Sequence, residues 1–193
     1  MAVQGDSGPF PAPHIPPESR ESAVEYEIRA LAPEDGDAMY ELVNRVKDEG
    51  KYLFYTLRFP AGGTGKYIES HNLSGNPVFG AFTSDGVLAG WIDFGIGSFE
   101  EVRHVGTIGM GVAAEHRGRG LGERLMRACI ESAWRQGLEK LELEVFASNA
   151  AARGLYRKMG FVEEGCLRRK RKFEGAYDDL VCMALFLDEG GEK

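Results

Sequence analysis

Two hydrophobic spacings alternate along this chain and predict a mixture of strands and helices. Apolar residues that alternate with polar ones, or run almost unbroken over a short stretch, are typical of β-strands. Segments with this spacing lie at residues 24–31, 78–83, 87–97, 104–112, 141–145, 166–173 and 177–186. The dipeptides Asp85-Gly86 and Glu174-Gly175 stand between consecutive strand segments, so both mark hairpin turns.

Apolar residues three or four positions apart lie on one face of a helix and so predict amphipathic helices between the strands. The first such helix begins at Pro33, the second follows a glycine-rich loop, and the third spans 150–159. Residues 52–66 show neither spacing, and 67–73 are compatible with a short helix. The apolar stripes of the first two helices are Met39, Leu42, Val43 and Val46, and then Leu121, Leu125, Met126, Cys129, Ile130 and Ala133.

Strands mixed with helices and ending in a hairpin predict an α/β (α+β) fold. We expect a mixed, mostly antiparallel, twisted sheet of six to seven strands flanked by helices. The chain has 193 residues, of which 43% are hydrophobic, which suits one domain, placed at 25–189. Residues 1–24 contain five prolines and few apolar groups, so they predict a flexible arm, and 190–193 form a short tail.

Composition narrows the classes of protein to which the chain can belong. The net charge is −7, so non-specific binding to nucleic acid is not expected. The basic run at 168–172 falls within a predicted strand, whose side chains alternate between faces and cannot present five charges to one partner. No apolar run reaches membrane-spanning length, and three scattered cysteines favour a reduced, cytoplasmic setting without a disulfide framework or metal site.

The glycine-rich loop between the strand at 104–112 and the next helix carries the strongest chemical signal. Glycines at 118, 120 and 122 let a ligand approach the backbone, and the helix that follows directs unpaired N–H groups at it. This arrangement predicts a phosphate or pyrophosphate site, with Arg117 or Arg119 available to neutralise charge. A dinucleotide fingerprint is excluded because Glu123 replaces its third glycine.

A second glycine-rich segment, residues 62–66, resembles a nucleotide-binding P-loop only faintly. That motif requires glycine where Pro60 stands and Ser or Thr where Tyr67 stands. We therefore interpret residues 62–66 as a flexible loop without a phosphate.

Two motifs in order resemble the GNAT family of N-acetyltransferases. Arg117, Gly120 and Gly122 match the pattern R-x-x-G-x-G of its acetyl-coenzyme A loop. The segment from Asn149 to Phe161 matches the family pattern N-x-x-A-x-x-L-Y-x-K-x-G-F. The resemblance extends over about residues 26–187. It implies acetyl-coenzyme A as the acyl donor and transfer to a primary amine.

The resemblance also implies roles for individual residues. Tyr156 is expected to protonate the departing coenzyme A thiolate. The strand before the loop is expected to bulge away from its neighbour, pair with pantetheine and aim one N–H at the thioester oxygen. Asn149 is expected to cap a helix, contact the cofactor, or both. The expected cofactor-binding residues are Met110, Gly111, Val112, Arg117, Gly118, Arg119, Gly120, Leu121, Gly122 and Asn149.

The sequence leaves the general base and the acceptor open. Asp93, Glu100, Glu142 and Glu144 are candidate bases, and a chain of water molecules is the alternative to any of them. The acceptor is expected to be a small-molecule or amino-acid amine. The alternatives are a protein N-terminus, as in acetyltransferases of ribosomal proteins, and a non-catalytic acyl-coenzyme A-binding module. A homodimer is compatible with this reading.

Overall fold

A computed structural model describes residues 12–16, 25–53 and 62–188, and the structural statements below refer to these residues. Seven strands form one sheet, with four α-helices and three short 3₁₀ turns around it. The strands are β1 (Tyr26–Ala30), β2 (Phe79–Thr83), β3 (Leu88–Ile96), β4 (Val105–Val112), β5 (Lys140–Phe146), β6 (Val162–Phe173) and β7 (Ala176–Phe186). The helices are α1 (Gly36–Asp48), α2 (Thr64–Leu73), α3 (Leu121–Arg135) and α4 (Ala150–Lys158).

The sheet has the order β1-β2-β3-β4-β5-β7-β6. Strands β4 and β5 run parallel, joined through α3, and each other neighbouring pair of the sheet is antiparallel. The expected fold class, a mixed and mostly antiparallel sheet with flanking helices, is therefore confirmed.

Helices cover both faces of the sheet, and each face has its own hydrophobic core. The larger core joins the apolar stripe of α3 to Tyr156 of α4, to Met159 directly after α4, and to the inner residues of β3, β5 and β7. The smaller core joins the stripe of α1 to Ile68 of α2 and Trp91 of β3. Each apolar residue predicted for the stripes of α1 and α3 is buried. The periodicity therefore identified which side of each helix packs on the sheet.

The sheet opens between its two parallel strands. Strands β4 and β5 pair only from Val105 to Thr107 and from Lys140 to Glu142. Beyond these residues β4 stays paired with β3 as far as Val112, while β5 stays paired with β7 as far as Phe146. The two strands therefore diverge and leave a V-shaped gap at the carboxyl ends of both.

The interpretation of residues 62–66 as a flexible loop is wrong, because Thr64, Gly65 and Lys66 form the first turn of α2. Thr64 is 1% exposed, and a Cβ on Gly65 would lie 2.9 Å from the carbonyl oxygen of Pro33. The glycine allows α2 to pack closely against the start of α1. Strand β6 begins at Val162, earlier than the predicted 166, and its residues up to Lys170 are exposed.

Most of the predicted arm lies outside the described residues, as does the tail at 190–193. Within 12–16, the half-buried Ile15 packs against the larger core. Within the described residues, no helix combines the length and the apolar character needed to cross a membrane.

Candidate active site

The gap between β4 and β5 opens into a cleft of about 510 Å³. The cleft brings together Tyr156 and nine of the ten residues predicted to bind the cofactor. Arg119 is the exception, since it is exposed and does not line the cleft. The nine that line it are Met110, Gly111, Val112, Arg117, Gly118, Gly120, Leu121, Gly122 and Asn149.

The glycine loop has the geometry of an anion site. Gly118 and Gly120 have φ angles of 71° and 74°, a left-handed conformation that glycine adopts without strain. Gly120 is the N-cap of α3, and a Cβ on Gly122 would lie 2.9 Å from the Leu155 side chain. The N–H groups of residues 118–122 donate to no other described residue. Five free donors at a helix N-terminus therefore fit a pyrophosphate.

The Arg117 guanidinium is held within the protein. Its Nη1 and Nη2 donate to the two carboxylate oxygens of Glu49, at 2.7 and 2.6 Å, and its Nε donates to the Val112 carbonyl at 2.9 Å. It also lies 4.5 Å from the centre of the Tyr52 ring. The hydrogen bonds that Arg117 donates to Glu49 raise the pKa of its guanidinium. Arg117 therefore ties the glycine loop to β4 and to the end of α1, whereas Arg119 has no ion pair with any described residue.

The strand before the loop opens without the expected bulge. Strand β3 pairs with β4 in unbroken register from Gly90 opposite Val112 to Ile96 opposite Gly106. The β4–β5 pairing ends at Thr107 and Glu142, so no strand of the described residues pairs with residues 110–112 on that side. Gly111 is required by packing, since a Cβ there would lie 2.2 Å from the Trp91 ring.

Helix α4 supplies the other side of the cleft. Asn149 caps it, because its side-chain oxygen accepts a hydrogen bond from the Ala152 N–H at 3.2 Å, as the sequence suggested. One helical face carries Ala152, Leu155 and Tyr156 to the cleft wall. The Tyr156 side chain is 7% exposed, and this burial raises the pKa of its phenol to about 12.

The four candidate bases occupy different environments. Asp93 is 7% exposed and accepts a hydrogen bond of 2.5 Å from the Tyr67 hydroxyl. Burial raises the pKa of Asp93, and the Tyr67 hydrogen bond opposes that rise. Glu144 lines the cleft with an exposed side chain, whereas Glu142 accepts a hydrogen bond from Thr107 at 3.1 Å. Glu100 is exposed on a 3₁₀ turn.

Sequence reasoning missed several residues that line the cleft or hold one of its lining residues in place. Glu49 and Tyr52 have no motif, and their contacts with Arg117 join segments about 65 residues apart, which periodicity does not detect. Glu123, 5% exposed, pairs with Arg127 within α3 and with Lys158 of α4, both at 2.7 Å. The spacing of Glu123 and Arg127 gives the first pair, but only the fold gives the second. No group of residues in the described part of the chain is arranged to hold a metal ion.

Comparison with known proteins assigns the chain to a family. The family model described as "Acetyltransferase (GNAT) family" matches residues 37–161, more than half of the chain. The chain belongs to the GNAT family. Both motifs that suggested the family, the glycine loop and the segment from Asn149 to Phe161, fall within the matched residues.

Individual relatives agree with this assignment. The GNAT chain is 32% identical to an L-methionine sulfoximine/L-methionine sulfone acetyltransferase of Pseudomonas aeruginosa, over 63% of this chain and 72% of that protein. It is 33% identical to a putative [ribosomal protein bS18]-alanine N-acetyltransferase of Bacillus subtilis, over 58% of this chain and 72% of the relative. A putative acetyltransferase from Salmonella typhimurium, solved with acetyl-CoA, has a TM-score of 0.80 and 26% identity, covering 88% of this chain and 98% of that one.

Proposed function

We propose that this GNAT enzyme transfers an acetyl group from acetyl-coenzyme A to a primary amine of a small molecule or amino acid. The observation that carries the proposal is the cleft itself. One anion-binding loop and one buried tyrosine meet at a gap in the sheet that can admit an extended chain.

The loop and the gap would bind different parts of acetyl-coenzyme A. The five free N–H groups of residues 118–122 would hold the pyrophosphate, and Arg119 would supply an exposed positive charge beside them. The edge of β4 from Met110 to Val112 would pair with the amides of pantetheine, because β5 has diverged from it. One N–H of that edge would stabilise the oxyanion, an interaction that typically contributes about 3 kcal/mol.

The chemical step is direct attack. The amine nitrogen forms a bond to the thioester carbonyl carbon, the carbon–sulfur bond breaks, and the amine gives its proton to a water molecule or to one of the candidate carboxylates. Tyr156 donates its hydroxyl hydrogen to the departing sulfur and takes a proton back from solvent before the next cycle. Its pKa of about 12 keeps the phenol protonated throughout the neutral range, so the donor is present in each catalytic cycle.

The cysteines support direct attack over an acyl-enzyme. Cys129 is fully buried, and this burial strongly raises the pKa of its thiol. Cys166 is exposed on β6, and Cys182 is only partly accessible. None of the three contacts a histidine among the described residues, although such a base ordinarily activates a cysteine nucleophile. Initial-rate plots at several donor concentrations should therefore intersect, whereas parallel lines would indicate an acyl-enzyme.

A panel of amines tests the function. Each amine is mixed with acetyl-coenzyme A, and release of coenzyme A is followed with a thiol reagent. The panel contains L-methionine sulfone, other amino acids, di- and polyamines, and a peptide that begins with alanine, because the relatives include an amino-acid and a ribosomal-protein enzyme. Turnover of a free amine supports the proposal. Turnover of the peptide alone favours the protein N-terminal alternative, and binding of the donor with no turnover favours the non-catalytic one.

A further inference from the structure

A second cavity, of about 320 Å³, meets the cleft at the gap between β4 and β5. We call it the acidic cavity, after Glu142, Glu144 and Glu164 in its wall. Five residues line both the cleft and the acidic cavity, so the two are continuous. These shared residues are Tyr52, Leu53, Ile108, Leu143 and Glu144.

The acidic cavity lies on the face of the sheet opposite Tyr156. Thr107 pairs with Glu142, so these side chains and the alternate residues Glu144 and Phe146 share one face. The intervening residues Leu141, Leu143 and Val145 point the other way, into the core that contains α3 and α4. An acyl donor bound beside α4 and a second substrate in the acidic cavity would therefore meet at the gap from opposite sides.

The charges in the cavity favour a cationic occupant. Among the residues that the structure describes, only Lys140 forms ion pairs with these carboxylates, its Nζ lying 2.8 Å from Glu164 and 3.7 Å from Glu142. Glu144 has no ion pair with any described residue, and it stands at the junction with the cleft. Three carboxylates and one ammonium leave an excess of negative charge. The carboxylates also help to raise the pKa of the Cys182 thiol in the cavity wall, although burial contributes most.

Two arginines stack on aromatic residues of the cavity wall, and both are held by acceptors of the protein itself. Arg117 stacks on the Tyr52 ring, and both terminal nitrogens of its guanidinium donate hydrogen bonds to the Glu49 carboxylate. Arg171 lies 3.8 Å from the centre of the Phe146 ring, donates to the Gly50 carbonyl at 2.9 Å and pairs with Asp178 at 3.1 Å. Within the described residues, the cavity therefore offers no free guanidinium for a substrate carboxylate.

We infer that the acidic cavity is the acceptor site and that its substrate is a small di- or polyamine without a carboxylate. One amine reaches the thioester through the gap, and the second cationic group binds the glutamates. The inference rests on the proposed function and makes it more specific. It separates this GNAT from the amino-acid enzyme among its relatives, whose substrates carry a carboxylate that would face the three glutamates.

Calorimetry on the full chain tests the site with spermidine and with L-methionine sulfone as probes. Spermidine should bind at least tenfold more tightly than the amino acid, and added salt should weaken it because the contact is ionic. Cys182→Phe should fill the cavity and abolish spermidine binding, since Cys182 lines the cavity but not the cleft. Cys166→Phe is the matched control, because Cys166 is exposed on the neighbouring strand outside both.

A charge pair of variants completes the test. Glu164→Gln should weaken spermidine about tenfold, whereas Glu101→Gln, the same change on an exposed turn, should have no effect. Acetyl-coenzyme A affinity reports whether each variant is folded. Tighter binding of L-methionine sulfone, or spermidine binding that survives Cys182→Phe, overturns the inference and leaves the proposed function intact. If the variants show that spermidine binds in the acidic cavity but no amine is acetylated, the proposed function is refuted instead.

Discussion

At the scale of single residues, Tyr156 is the side chain whose chemistry is most directly testable. Tyr156→Phe removes one hydroxyl and keeps the ring that packs near Phe161 in the larger core. Loss of a proton donor typically slows a reaction about 100-fold, and the interaction is made only in the transition state. We therefore expect kcat to fall about 100-fold, with donor affinity and melting temperature nearly unchanged. Equal kcat values for the two proteins would assign Tyr156 to packing.

The buried Asp93 should make stability depend on pH in an unusual direction. Burial raises its folded-state pKa above the ordinary value of 3.8, so between those two values the folded protein binds more protons than the unfolded chain. The contribution of Asp93 to stability is therefore complete at low pH and is lost as pH rises through the raised pKa. Asn keeps an acceptor for Tyr67 without the charge. Asp93→Asn should gain melting temperature relative to wild type as pH rises from 3 to 7.

Asp35 provides the control of opposite sign. Its hydrogen bond from Arg29 lowers its folded-state pKa below 3.8, so its contribution is present above that value and is lost as pH falls. Asp35→Asn should therefore be destabilised near pH 7, and the difference from wild type should shrink at pH 3. Parallel pH profiles for the two variants would contradict the assignment of Asp93 as a buried, charge-penalised carboxyl.

At the scale of elements, a substitution in the glycine loop should weaken binding of acetyl-coenzyme A without unfolding the protein. Asn tolerates the left-handed conformation better than other side chains, so Gly118→Asn places atoms beside the anion site at small backbone cost. Gly86→Asn is a matched control, since both glycines have positive φ and neither Cβ would meet an atom within 4 Å. We expect at least tenfold weaker acetyl-coenzyme A binding for Gly118→Asn alone. If calorimetry gives the two variants equal affinity for acetyl-coenzyme A, the pyrophosphate does not bind at this loop.

Local patterns predicted most helices, strands and turns, because each of these depends on residues that are close together in the sequence. The stripe of α3, the Asp85-Gly86 turn and the Asn149 cap each depend on residues a few positions apart. The start of α2 at Thr64 was missed because the glycines at 62, 63 and 65 favour a loop in isolation, whereas Gly65 packs closely against Pro33 and Gly36 at the start of α1 and is helical. The pairing of Arg117 with Glu49 was missed for a similar reason, since it depends on tertiary approach.

The motifs predicted which residues line the candidate site, but not the shape of the cleft that they form. The motifs identified the loop and Tyr156, and they gave the order in which the chain reaches them. The family resemblance implied that the strand before the loop separates from its neighbour, but local patterns did not show that β4 and β5 part beyond Thr107 and Glu142, because that depends on which strand each one pairs with. The acidic cavity was equally hidden, since its glutamates come from β5 and β6, which are neighbours only through β7.

At the scale of the whole molecule, the gap between β4 and β5 lies between two separate hydrophobic cores, one on each face of the sheet. The larger core fixes α3 and α4, and the smaller core fixes α1 and α2. Arg117 joins the two sides, because it belongs to the loop before α3 and binds Glu49 at the end of α1. A substitution that destabilises either core should therefore also disturb the gap, because the Arg117–Glu49 pair connects the two sides.

The N-terminal arm offers the last test, because its composition and its one described contact make different predictions. The sequence predicts an arm that folding does not need. Ile15, however, is half-buried against the larger core, and burying part of such a side chain contributes about 1 kcal/mol. Removal of residues 1–11 should leave the melting temperature unchanged, whereas removal of 1–24 should lower it by about 2–4 °C. Ile15→Ser in the full chain should reproduce most of that fall. Equal melting temperatures for both truncations would make the Ile15 contact energetically silent and leave the whole arm dispensable.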